Sequence, residues 1–110
     1  MDPSVKMKLQ QEKINANDAL AQSTLYVLST AAETYVTQPG TGGHYPDSES
    51  EFVSSGLMKG NYCETEASGY HYKCEFNQNG YTFFAIPIVE GETGGGELRI
   101  STGGVTSWER

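Results

Sequence analysis

From Ser4 to Gln38 the chain contains no proline and no glycine, and no other feature restricts its fold so strongly. Those two residues are the poorest helix formers, while Ala16, Ala19, Ala21, Ala31 and Ala32 are the best. Pro3 suits a first helical turn, where its missing amide proton is not needed. The helix expected over 4–36 would be roughly 50 Å long. That exceeds the width of a domain built from 110 residues. Part of it must therefore protrude, fray or pack on another molecule.

Within this helix Ala21, Leu25, Leu28, Ala32 and Tyr35 recur at the three- and four-residue spacing of a buried face. Leu20, Val27, Ala31 and Val36 fall off that line and widen the apolar arc beyond the single stripe of an ordinary surface helix. A sheet is expected to cover Leu25 and Leu28. Val5, Met7, Leu9 and Ile14 alternate with Lys6, Lys8 and Gln10 and lie too far forward for much of the later chain to reach. They are expected to be exposed in the isolated chain, with the boundary between spine and head near Ala19 to Leu25.

After the helix, QPGTGGHYP from Gln38 to Pro46 reads as a loop. Ser48 and Glu51 have the spacing of a capping box over a short helical turn ending near Gly56. Tyr70 to Phe76 alternates as a strand, Asn77 to Gly80 supplies a turn whose last two residues suit positive φ, and Tyr81 to Val89 is the most apolar strand. Pro87 points to an edge or bulge at its far end. Glu97 to Ser101 and Val105 to Trp108 follow as short strands. The fold class is therefore α+β, a long N-terminal helix packed on a three- to four-stranded antiparallel meander. One domain is expected over 1–110: a helical spine at 4–36, a connection at 37–69 and the sheet at 70–110. Leu25, Leu28, Ala32, Tyr35, Phe83 and Ile86 are its expected core.

Seven basic against fourteen acidic residues give a net charge of -7. The basic residues are scattered, which argues against nucleic acid. Two cysteines, Cys63 and Cys74, allow one intramolecular disulfide. Closing that loop would stabilise the fold by roughly 3 kcal/mol, and the bond belongs to an oxidising compartment. Zinc would have to recruit Cys63, His71, Cys74 and His44, but His71 and Cys74 point to opposite faces of a strand. No metal and no cofactor is expected. The glutamate pairs at 49 and 51, 64 and 66, and 90 and 92 fall in polar turns where carboxylates are ordinarily solvated. No loop has the twelve-residue calcium pattern, and GETGGGE lacks the lysine and following helix of a phosphate loop. Neither His44 nor His71 stands in a spacing that asks for nucleophilic catalysis, so no enzyme activity is expected. No run of eighteen apolar residues is present, and the chain as it stands is expected to be soluble.

Three stretches together carry a family resemblance: INANDALAQSTLYVLSTAAETYVTQ at 14–38, GGHYPDSESEFVSSGL at 42–57 and GYTFFAIPIVEGETGGGELRISTGGVTSW at 80–108. In this order the chain resembles the part of a type IV pilin, or of a type II secretion major pseudopilin, that remains when the hydrophobic front of the N-terminal helix is removed. The family's leader, processing site and early glutamate have no counterpart here, so neither processing nor anchoring is carried onto any residue.

The resemblance implies a structural subunit of a helical filament, held in the inner membrane by a preceding segment before assembly and extruded afterwards as a cell-surface pilus or a periplasmic filament. Its partners would be copies of itself and the pilus or secretion assembly machinery. Head-to-tail, non-closing contacts suit such a fibre. Val5, Leu9, Ile14, Leu20 and Val27 are the expected assembly residues on the helix. The competing class is a secreted binding module that recognises a glycan or protein through exposed aromatic strand residues around Tyr72 or Trp108, or through the EGETGGG hairpin.

Overall fold

The computed structural model describes the backbone of residues 3–58 and 60–109, with side chains from residue 7 onward. Helix α1 spans Pro3–Thr37, α2 spans Glu49–Ser54, and five strands follow: β1 Thr65–Ala67, β2 Tyr70–Asn77, β3 Gly80–Pro87, β4 Glu97–Ser101 and β5 Val105–Glu109. The strands form one sheet in the order β1-β2-β3-β4-β5, every pair antiparallel. An α+β fold results, with a long N-terminal helix packed on a multi-stranded antiparallel sheet. The extents of 60 × 22 × 16 Å reflect the helix overrunning the head.

The buried line on α1 is Ala21, Leu25, Leu28, Ala32 and Tyr35, none more than 7% exposed. It packs on Tyr70 and Tyr72 of β2, Tyr81, Phe83 and Ala85 of β3, and Leu98 and Ile100 of β4, which alternate with outward residues as the pleat requires. Phe52 of α2, fully buried, stacks at 6.4 Å on Phe83 and meets Tyr35 edge-on at 6.3 Å. Ser48 caps α2 by accepting from the Glu51 amide at 3.1 Å. The Glu51 carboxylate reaches back to the Asp47 amide, one residue earlier than a capping box has it.

Four expectations about the sheet are corrected. The sheet has five strands, because β1 forms inside the segment read as connection. Thr65-Glu66-Ala67 carries no apolar alternation, and its pairing with β2 is supported by the Cys63–Cys74 disulfide and by the Glu64 amide donating to the Tyr72 carbonyl. Ile86 is not core: with Thr82 and Phe84 it faces away from α1 on the half-covered outer side of the sheet. There the Arg99 guanidinium stands 5.5 Å from the centre of the Phe84 ring and pairs with Glu97 and Glu109.

The strand read as Tyr81 to Val89 stops at Pro87, leaving Ile88 and Val89 exposed in the following loop. Beyond Ala85, β3 pairs with β2 alone, so the proline sits where one side of the strand is open. Neither Asn79 nor Gly80 has positive φ. Gly80 is needed for another reason: a Cβ there would overlap the Thr102 hydroxyl, which accepts from the Tyr81 amide.

Candidate assembly surface on the N-terminal helix

α1 presents two unlike faces because its apolar residues follow two lines. Leu9, Leu20 and Val27 are separated by 11 and 7 residues, so they recur within about 20° of one another, roughly a third of a turn from the line that enters the core. They are 54%, 52% and 61% exposed. Ala16 lies on the same side and Tyr26 borders it, both exposed, while Val27, Thr30, Ala31 and Leu57 frame a shallow apolar hollow where helix meets head. Single exposed leucines are ordinary on any protein; here two leucines and a valine share one side of the helix, with Lys13 between Leu9 and Leu20.

Charge sharpens the contrast. Between Lys13 and Glu33 the sole charged side chain is Asp18, and it is 7% exposed. It accepts from the Tyr70 hydroxyl at 2.5 Å and the Gly95 amide at 2.9 Å. About 27 Å of helix thus shows solvent only alanine, asparagine, glutamine, serine, threonine, tyrosine, leucine and valine. A solvated helix face ordinarily carries charge.

The C-terminal end of α1 is fastened to the head by polar contacts. Glu33 accepts from the Tyr45 hydroxyl at 2.9 Å, the Tyr81 hydroxyl at 2.6 Å and the Gly103 amide at 2.9 Å. Burial pushes this carboxyl up, but the bonds from Tyr81, Gly103 and Tyr45 outweigh it and hold Glu33 below its ordinary 4.5. Tyr81 is pushed up to about 12, first by burial and then by its bond to Glu33. Tyr35, bonded to Glu51 and buried, is also raised to about 12. These groups fix the helix direction and leave the Leu9–Leu20–Val27 line clear.

Of the expected assembly residues, Leu9, Leu20 and Val27 are brought onto this surface. Val5 lies outside the described side chains. Ile14, expected to be exposed, is instead 7% exposed, on the face of α1 where Gln10 and Asn17 bond the β3–β4 loop. On that face Gln10 Nε2 donates to the Glu92 carbonyl and Asn17 Nδ2 to the Thr93 carbonyl. Neither tie was expected. The usable signal was Asp18 standing four residues after Ile14 and three before Ala21, a charge in core-face spacing that demands a specific partner.

The strand aromatics expected in a binding patch are withdrawn from solvent: Tyr72 is 2% exposed and Trp108 is partly buried against the core. Among the described residues no group of three or more His, Cys, Asp or Glu could hold a metal ion, and no helix is long and apolar enough to cross a membrane. Comparison with protein-family models, with curated proteins and with solved structures gave no match.

Proposed function

We propose that this chain is a structural subunit of a pilin-like filament, a type IV pilus or a related fibre, that assembles by packing α1 against α1 of neighbouring copies. One observation carries the reading: Leu9, Leu20 and Val27 lie exposed on one line of a helix whose solvent face bears no charge between Lys13 and Glu33. Small residues beside that line, Ala16 and Ser23, leave room for a second helix to approach closely. The long helix and antiparallel head agree with the pilin-like arrangement that the resemblance implies. In this reading a segment ahead of α1 anchors the subunit in the inner membrane before extrusion, and the assembly machinery moves it into the fibre. A type II secretion pseudopilus would use the same surface. The two differ in where the fibre stands, at the cell surface or in the periplasm.

The test is made on cells producing the protein from its complete gene. Fibres sheared from the surface, or recovered from the periplasm, are expected to contain it as a repeating subunit. Leu9→Lys with Leu20→Lys is expected to abolish those fibres while the secreted or membrane-held subunit accumulates. Recovery of the wild-type protein solely as dispersed monomer would sink the reading.

A further inference from the structure

The loop between β3 and β4, residues 88–96, meets the leading turns of α1 ahead of the point where Asp18 is also held by Tyr70 of β2. The apolar core on the helix begins only at Ala21. Ahead of it, Gln10 donates to the Glu92 carbonyl at 2.6 Å, Asn17 donates to the Thr93 carbonyl at 2.9 Å, and Asp18 accepts from the Gly95 amide at 2.9 Å. Ile14 shares this face, one turn from Gln10 and one from Asn17 and Asp18, and is the single apolar side chain of those turns withdrawn from solvent.

The loop is a small body in its own right. The Thr93 amide donates to the Val89 carbonyl, the Val89 amide to the Thr93 hydroxyl, and the Gly91 amide to the Gly94 carbonyl. Glycines stand at 91, 94, 95 and 96, with Gly91 at φ +82° and nothing within 4 Å of its Cβ position. Among the described residues its hydrogen bonds to the helix run from side chains to backbone groups, those of Gln10 and Asn17 being replaceable by water, and they lie over one isoleucine. Contacts of this kind open with far less free energy than a packed core.

We infer that residues 88–96 form a releasable strap. Closed, it clamps Gln10 to Asn17 against the head and covers Ile14; open, it frees those turns for a neighbouring subunit while Tyr70 keeps Asp18 on the sheet. The second half rests on the filament reading, and the first does not. Ile14 is then an assembly residue withheld in the isolated subunit, which limits association before the subunit meets its neighbours.

Hydrogen exchange on the isolated protein, read by peptide mass, decides whether the strap opens. Residues 88–96 are expected to exchange at least about tenfold faster than β2 and β3. Gln10→Ala with Asn17→Ala is expected to raise that rate several-fold again without changing β2 or β3. Strap amides that exchange as slowly as β3, in wild type and variant alike, overturn the strap. Fibre formation by the complete gene product reads the second half, with the double variant expected to assemble several-fold faster. An unchanged or slower rate overturns the withholding role. Wild type that never assembles refutes the filament reading instead, and the exchange rates still judge the strap.

Discussion

The Tyr81 hydroxyl lies 2.6 Å from Glu33 Oε2 and 2.7 Å from Ser29 Oγ, so one phenol on β3 grips α1 at two points a turn apart. Its single proton goes to the carboxylate, and Ser29 therefore donates to it. Glu33 also accepts from Tyr45 and Gly103, which ties the loop after α1, the β4–β5 turn and the sheet to the helix through one side chain.

Glu33→Ala should therefore cost about 1–3 kcal/mol at neutral pH, the usual price of leaving such donors without an acceptor. The sign with pH follows from the carboxyl being held below 4.5 in the fold. Its contribution is present above that value and disappears as pH falls through the lower folded value. Denaturant titrations should show the gap between wild type and variant closing in acid. A gap of equal size at neutral and strongly acid pH would refute this role for Glu33.

The alkaline limb belongs to tyrosines. Tyr35 and Tyr81 titrate near 12 in the fold against about 10 when unfolded. Raised values mean stability that is complete below about 10 and lost as pH rises through 12. Phenolate absorbance should show that the seven tyrosines do not ionise together, with Tyr35 and Tyr81 in the late group. Glu51→Gln should advance Tyr35, and Glu33→Gln should advance Tyr81 together with Tyr45. A single step for all seven near the unfolded value contradicts the arrangement.

Removing the Cys63–Cys74 disulfide by Cys63→Ala with Cys74→Ala should lower stability by about 3 kcal/mol on the chain-entropy model. The loss should be felt first at β1, whose three residues have one strand neighbour and little apolar cover. Amides of residues 64–67 are expected to lose exchange protection before those of β3. Uniform loss across the sheet would show that the bond supports the whole head rather than this edge.

The core line of α1 was legible because helical spacing is local: Ala21, Leu25, Leu28, Ala32 and Tyr35 declare themselves within fifteen residues. Ile86 was not, since FFAIPIV is apolar on both faces of β3 and a period of two cannot say which face meets the helix. Phe84 and Ile86 lie outward, where Arg99 covers the Phe84 ring. Ile14 was misjudged for a different reason: its cover comes from residues 88–96, nearly the whole chain away, and consists of glycine-rich backbone that no hydropathy pattern reveals. The assembly line was half legible. Leu20 and Val27 stood off the core spacing, but only the sheet's position shows that nothing in the head covers them.

Gly94 offers a test of close packing without backbone strain, because its φ is not positive. A Cβ there would overlap Tyr70 Cζ and lie 2.7 Å from Cε2, on a fully buried ring that Asp18 also holds. Gly94→Ala should cost about 1–3 kcal/mol by overpacking. Gly91→Ala meets no neighbour but sits at φ +82°, so it should cost roughly 1–2 kcal/mol from backbone strain alone. The two separate by readout: Gly94→Ala should change the near-ultraviolet signal of the buried tyrosine, and Gly91→Ala should not. Identical spectra for both would mean that the loop moves aside without disturbing Tyr70.

If the two lines of α1 have separate tasks, stability and association should respond to different residues. Leu28, 1% exposed, loses packing on the sheet when shortened, and Leu28→Ala should cost about 2–5 kcal/mol. Leu20 and Val27 touch little in the isolated subunit, and lysine has a helix propensity close to that of leucine, so Leu20→Lys and Val27→Lys should each change stability by no more than about 0.5 kcal/mol. Their effect should appear in association instead, where a lysine on the apolar line must be desolvated against a neighbouring helix. Thermal melts of the isolated protein and sedimentation of the complete gene product measure the two quantities separately. A large loss of stability from Leu20→Lys would mean that this face already has an intramolecular partner. Normal association by both lysine variants would move the assembly surface off this line of the helix.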